Sequence, residues 1–271
     1  MMMEISIVTG FFDIGRGEWL EGSEDNKSPN RFARSNETYL SWFKNLAKLP
    51  NHMVIVTEQK FSDMIYDIRK SFGLERLTEI FVMDDLFGPE GRMGKIISNF
   101  DANMIHLHKF VRNPNSPEYW NPNYVLVNAL KSAFVCTAIK LAKFIHQQVA
   151  WIDFGYCRDS QRFDPSTSWR FDCKKKMNMF YIREPDDRPI FDIVQTGDVY
   201  FQGCHIVGPA DGWFHFGKLI DDAYTSLLAC GLVDDDQTAM LMAYRREPHF
   251  FRIHAVDPSD WFVVLRTFRE R

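Results

Sequence analysis

Four short apolar runs, at residues 5–9, 53–57, 80–83 and 149–153, constrain this chain more than any other feature. Each has the length of a strand, and each is apolar almost without interruption. A strand covered on both faces reads that way, and such strands belong to mostly parallel sheets flanked by helices. The segments between them carry helical spacing. Tyr39, Trp42, Phe43 and Leu46 mark a helix over 38–49 that stops at Pro50. Residues 61–72 form the next, with Gly73 as its C-cap. Leu126, Leu130, Ala133, Phe134, Ala138, Leu141 and Ile145 predict a long helix over 125–146. Strand and helix alternate, which predicts an α/β fold.

Beyond Gly155 the pattern changes. Short β-like runs at 180–182, 199–201 and 204–207 are broken by Pro and Gly. Helices are predicted over 213–230, ended by Gly231, and over 237–244. Residues 250–253 and 261–265 read as late strands or extended segments. The segment 113–123, with three prolines, reads as a loop. One compact unit over 1–271 is expected, with a nucleotide-binding half over 1–155 and an acceptor-binding half over 156–271.

Composition narrows the function classes. With 45% hydrophobic and 25% charged residues, the chain is neither disordered nor a coiled coil. Its net charge of −4 gives nucleic-acid binding no support. Five cysteines, never spaced C-x-x-C, argue against a disulfide framework and a zinc ribbon. The 24 Phe and 7 Trp fill a core or offer ring platforms for a sugar or base. The first residues lack a basic, apolar, small-residue leader, and no run reaches the ~18 apolar residues of a membrane span. A cytoplasmic location is expected. The basic run Lys174, Lys175, Lys176 is a solvated turn or a peripheral contact with an anionic membrane surface.

Three stretches carry chemistry. The turn after the first strand, with Thr9, Gly10, Gly15, Arg16 and Gly17, is a near miss to a phosphate loop. Arg16 stands where the lysine belongs, so a Walker ATPase is excluded. A glycine-rich turn with an arginine still suits a diphosphate, and an ordinary flexible loop is the plainer reading. Asp153 ends the fourth strand and precedes Phe154 and Gly155. A carboxylate at the carboxyl end of a buried strand is where open α/β sheets hold ligands, and Gly155 permits close approach. Turn capping explains the same residue without function. Asp234, Asp235 and Asp236 precede a helix, where carboxylates cap its positive end. Adjacent carboxylates also repel, which raises a pKa and creates a base. Arg158 and Asp159 read as surface loop residues. His106 and His108 share a face only in a strand. His205, His215, His249 and His254 show no metal-binding spacing, although His249 and His254 remain candidates for a metal or phosphate contact. Lys131 either snorkels to water or points its ammonium at a phosphate.

Taken in order, residues 7–16, then Pro122, Asn123 and Tyr124 with Lys131, then 151–155, then Asp235, Asp236 and Gln237 resemble the bacterial HtrL/YibB-like family of lipopolysaccharide and capsule gene clusters. The family is similar to GT-A-type glycosyltransferases. The resemblance implies a GT-A-like, Rossmann-like α/β fold: a mostly parallel central sheet flanked by helices, with a smaller acceptor-side β/α region. It implies a UDP-sugar donor and an Mn²⁺ or Mg²⁺ ion. Thr9, Phe11, Arg16, Lys131, Asp153 and Gly155 would lie along the nucleotide. Gly203, His205 and Gln237 would line the sugar pocket. Asp235 or Asp236 would be the acceptor-side base. The usual D-x-D is here Asp153, Phe154, Gly155, so His254 is the candidate second metal ligand. The expected activity is transfer of a hexose, with galactose-type donors a guess, to a hydroxyl of a glycan or lipid-linked saccharide, with inversion. The rivals are a metal-dependent phosphohydrolase of nucleotide sugars and a non-catalytic glycan- or nucleotide-binding protein.

Overall fold

A computed structural model describes residues 4–19, 33–87, 90–159 and 165–268. Seven strands form one sheet in the order β3-β2-β1-β4-β6-β5-β7. They are β1 (Ile5–Phe11), β2 (Met53–Thr57), β3 (Thr78–Val82), β4 (Gln148–Ile152), β5 (Met177–Tyr181), β6 (Phe201–Pro209) and β7 (Phe251–Ala255). All run parallel except β6, which is antiparallel to both neighbours. The mostly parallel sheet expected from the apolar runs is therefore present.

The continuous apolar runs supply two helix layers at once. Ile5, Ile7, Met53 and Ile55 face α1 (Asn36–Leu46) and α2 (Gln59–Lys70), through Leu40, Phe43, Leu46, Ile65 and Ile68. Val8, Val54, Val56 and Trp151 face the opposite layer. That layer holds α3 (Gly94–Leu107), α4 (Pro122–Ala129), α5 (Lys131–Leu141), α6 (Ile190–Thr196), α7 (Gly212–Ala229) and α8 (Asp236–Arg246). Alternate side chains of a strand point to opposite faces, so each strand contributes to both cores. A short α9 (Val264–Thr267) closes the described chain.

The buried Arg69 of α2 locks β2 and β3 at their entry. Nε donates to Thr78 Oγ1 at 2.8 Å. Nη1 donates to the carbonyls of Ala47 and Leu49, and Nη2 to those of Asn51 and Leu77. All five N–H donors of the guanidinium are thus used.

Four expectations change. The long helix predicted over 125–146 is two helices, α4 and α5, bent by 42°. Residues 94–107 form a helix that the sequence reading passes over, with His106 in its last turn and His108 as its C-cap, so these two are no strand pair. A helix also forms over α6, inside a stretch read only for short strands. Residues 261–265, read as extended, form a turn and the start of α9. Lys174 and Lys175 take left-handed conformations (φ 50° and 57°) in the exposed turn before β5. Among the described residues no single helix is long and apolar enough to cross a membrane.

Candidate functional site

The chain leaves β1 outward to β2 and β3, then crosses to β4 on the other side of β1. Where strand order reverses like this, the carboxyl ends of the two central strands diverge and leave a crevice. Asp153 is the first residue past β4 and stands at that crevice. Its backbone N–H donates to Cys204 O at 3.0 Å, and the Trp151 indole donates to its Oδ1 at 2.7 Å.

Lys131, Asp153, Gly203 and Asp236 meet there from four elements. The Lys131 ammonium, at the first position of α5, donates to Asp236 Oδ2 at 2.8 Å and to Gly203 O at 3.0 Å. It lies 3.1 Å from Asp153 Oδ1. An ammonium has three donors, and these three oxygens account for them. The two acidic stations, eighty-odd positions apart in sequence, are therefore tied across one cation. Lys131 is 7% exposed, so it does not snorkel to water, and Asp236 is 5% exposed. Gly203 permits the approach: a Cβ there would lie 2.2 Å from Asp236 Oδ2.

Burial alone would strip the proton from Lys131, but Asp153 and Asp236 reverse this and hold its pKa above the usual lysine value. Burial and the neighbouring Asp153 push Asp236 up, and Lys131 opposes them. Asp235 caps α8, accepting from Gln237 N at 3.0 Å, and burial with Asp234 and Asp236 beside it raises it well above the carboxylate range. Asp234 accepts from Thr238 Oγ1 at 2.7 Å and from Asp235 N at 2.9 Å. Burial lifts it from 3.8 to about 7, with Glu118 adding to the rise.

The raised Asp234 has a measurable consequence. Between its unfolded value of 3.8 and its folded value of about 7, the folded state holds a proton that the unfolded state has lost. This contribution is full below the lower value, fades as pH rises and is gone above the upper one. Asp234→Asn is expected to flatten stability over pH 4–7 and to leave the variant more stable than wild type at pH 8, by on the order of 2 kcal/mol. Urea titrations across that range check it. Parallel wild-type and variant curves would rule it out.

The crevice has two adjoining lobes, of about 400 Å³ and about 140 Å³. Both are lined by Arg16, Tyr39, Tyr124, Lys131, Asp153 and Gly155. Asp235, Asp236, Gln237 and Gly203 line the larger, and Gly10 and Phe11 the smaller. One wall is cationic. Arg16 lies 5.2 Å from the Trp19 ring centroid, 5.6 Å from that of Tyr124 and 5.7 Å from that of Tyr39, and donates to Tyr39 Oη. Arg158 sits between the rings of Trp42 at 4.8 Å and Phe262 at 4.4 Å, and Arg34 is 5.4 Å from the same Trp42 ring. The larger lobe is also lined by the acids Glu118, Asp235 and Asp236.

Several expected residues take these places and others do not. Phe11, Arg16, Lys131, Asp153, Gly155, Gly203, Asp235, Asp236 and Gln237 all line the crevice. Gly155 is needed for packing as well: a Cβ would come within 2.8 Å of the Tyr39 ring. Phe11 stacks on Phe154 at 4.6 Å and is only 5% exposed. Thr9 is fully buried and lines neither lobe. His205 is corrected too. It would share a strand face with Gly203, but β6 bulges against β5 between Phe201 and Ile206. A bulge re-aims the side chains beyond it. His205 therefore lies fully buried against Tyr156, Trp169 and Phe180. His254, the expected second metal ligand, pairs with Asn178 at 2.9 Å and lines a separate hollow with Phe171 and Arg252. Burial, with Arg252 adding, pulls its pKa down to about 4.

These residues do not fit a divalent cation held by Asp153 and His254. Asp153 and Asp236 already share an ammonium, and no group of three His, Cys, Asp or Glu side chains with metal-holding geometry occurs among the described residues. Arg34, Tyr39 and Arg158 are lining residues that the sequence reading missed. For Arg158 the signal was its position five residues past Asp153, on the loop leaving the strand end.

A family profile described as "Bacterial protein of unknown function (HtrL_YibB)" matches residues 3–270. The chain belongs to the HtrL_YibB family. It is also similar to Protein HtrL of Escherichia coli (strain K12), 32% identical over 278 residues that cover 99% of this chain and 94% of HtrL. Among solved structures, PaToxG Glycosyltransferase aligns over 91% of this chain and 71% of its own, at 11% identity and a TM-score of 0.36. That likeness is too slight to carry an argument. For this HtrL_YibB chain the chemistry rests on the crevice itself.

Proposed function

We propose that the chain is a glycosyltransferase that moves a sugar from a nucleoside diphosphate sugar to an acceptor hydroxyl. The observation that carries this reading is the polarised crevice at the strand-order reversal. Arginines and acids line the same lobe there, and Lys131 ties Asp153 to Asp236. An anionic donor belongs beside the arginines and a neutral alcohol that must lose a proton beside the acids. A GT-A-type enzyme using a UDP-hexose on a surface glycan or lipid-linked saccharide, the assignment suggested by the family resemblance, is compatible with this layout.

In this reading the guanidiniums neutralise the charge that builds on the departing diphosphate. Asp235 is the base. It lines the crevice, and one backbone N–H fixes its carboxylate. Gln237, one turn position on, orients the acceptor. Asp236 works through Lys131 as a positioning group. If the acceptor oxygen, giving its proton to Asp235, attacks the anomeric carbon on the face opposite the departing diphosphate, the anomer inverts. A phosphohydrolase reading loses ground, because Asp153 and Asp236 are bound to an ammonium instead of being arranged around metals.

The test is a thermal-shift panel of UDP-, GDP- and dTDP-sugars, followed by product assays with saccharide acceptors. Asp235→Asn is expected to keep donor binding and lose on the order of 10²-fold or more in turnover. Undiminished turnover in that variant would remove Asp235 from the role. A protein that binds donors with no turnover for any acceptor would be a binding module of transferase-like fold.

A further inference from the structure

We infer that this crevice binds the donor's diphosphate without a divalent cation: Lys131 holds the position between Asp153 and Asp236 that a metal would occupy, and Arg16, Arg34 and Arg158 supply the charge that faces the phosphates. The inference rests on reading the crevice as a nucleoside diphosphate site.

Three observations support it. The first is the ammonium itself. A hard cation takes carboxylate oxygens directly, at distances far shorter than 2.8–3.1 Å. To enter between Asp153 and Asp236 it would have to expel Lys131. That side chain is 7% exposed, and its third donor is used on Gly203 O. Two positive centres side by side repel strongly, and the lysine's three donors are already engaged by Asp153, Asp236 and Gly203. The covalently attached cation therefore excludes the diffusible one.

The second is the arginine wall. Arg34 and Arg158 share the Trp42 ring, and Arg158 is held on its other face by Phe262. Among the described residues no carboxylate pairs with either guanidinium. Burial lowers the Arg158 pKa to about 10, and the nearby Arg34 and Arg16 add to the fall. Gathering like charges this way is unfavourable until an anion enters. A guanidinium stacked by its faces keeps its edge N–H groups in plane, which is the geometry that takes phosphate oxygens in pairs.

The third is placement. Arg16, Arg34 and Arg158 line the same lobe as Lys131 and Asp153, next to the crevice at the carboxyl ends of β1 and β4. A diphosphate lying along that wall would meet three delocalised cations, with Lys131 behind them as a fixed charge.

The experiment is isothermal titration calorimetry on the full chain. Inorganic pyrophosphate is titrated in excess EDTA. UDP, GDP and ADP are titrated in EDTA, and again with Mg²⁺ or Mn²⁺. Pyrophosphate and at least one nucleotide are expected to bind in EDTA, and the metal is expected to leave that nucleotide's affinity within about three-fold. Arg158→Gln is the variant to read, because Arg158 stands at the mouth of the crevice, outside both apolar cores, and its loss spares them. It should weaken binding in EDTA by about ten-fold or more, the size of a lost charge-assisted pair. Nucleotide binding seen only with metal overturns the inference and leaves the transferase reading standing. Arg158→Gln binding as tightly as wild type also overturns it. No binding of any nucleotide under any condition takes down both.

Discussion

Replacing Lys131 with methionine is expected to cost the fold about 3–5 kcal/mol, the penalty for breaking a buried ion pair and leaving its partner uncompensated. The size follows from the tripod geometry. Methionine keeps the length of the side chain but takes from Asp236, at 5% exposure, and from the carbonyl of Gly203 the ammonium that donates to both. It also strands Asp153 beside Asp236 with the intervening charge removed. Chemical denaturation near neutral pH measures the loss. The double variant Lys131→Met with Asp236→Asn is expected to recover part of it, because the amide removes the buried charge. A single-variant cost under about 1 kcal/mol would show that the three oxygens are hydrated and that the ammonium does not hold them.

Arg69→Met is expected to be at least as damaging, for a different reason. No carboxylate is involved; Arg69 donates to four backbone carbonyls and one hydroxyl and is fully buried. Each orphaned carbonyl in a dry interior costs about 1–3 kcal/mol, so the three bonded there, those of Ala47, Leu49 and Asn51, cost at least ~3 kcal/mol. For a chain of this size that lowers the melting temperature by roughly 10 °C or more. Arg69→Lys restores only three donors and should fall between wild type and Arg69→Met. Melting within about 2 °C of wild type in Arg69→Met would mean that water reaches those carbonyls. The consequence reaches the candidate site indirectly, because Arg69 secures the entry of β2 and β3, and β2 in turn pairs with β1.

Much of the architecture was open to reading along the chain. Parallel strands buried on both faces have to be apolar throughout, so β1, β2 and β4 stand out, while the edge strand β3 shows only through its apolar end from Ile80. Ile97, Phe100, Met104 and Leu107 carry the helical spacing of α3, and attention to His106 and His108 as a pair hid it. The bend between α4 and α5 leaves no such trace. No proline or glycine marks Leu130, and the apolar spacing runs through it. That bend sets Lys131 at the start of a new helix, which is why the choice between snorkelling and a phosphate contact missed the actual outcome, an inward ammonium. The β6 bulge is equally silent in sequence, and it separates His205 from Gly203.

What the sequence determined by itself is the layered α/β framework and the two acidic stations, because burial and strand-end position follow from local hydrophobic pattern. Which charges meet was decided only in three dimensions. Lys131, Asp153, Gly203 and Asp236 come from four separate elements, and their contacts depend on a bend and on strand order. Long-range electrostatic pairing has no period along a chain, so nothing local announces that a lysine rather than a histidine stands between the two acids.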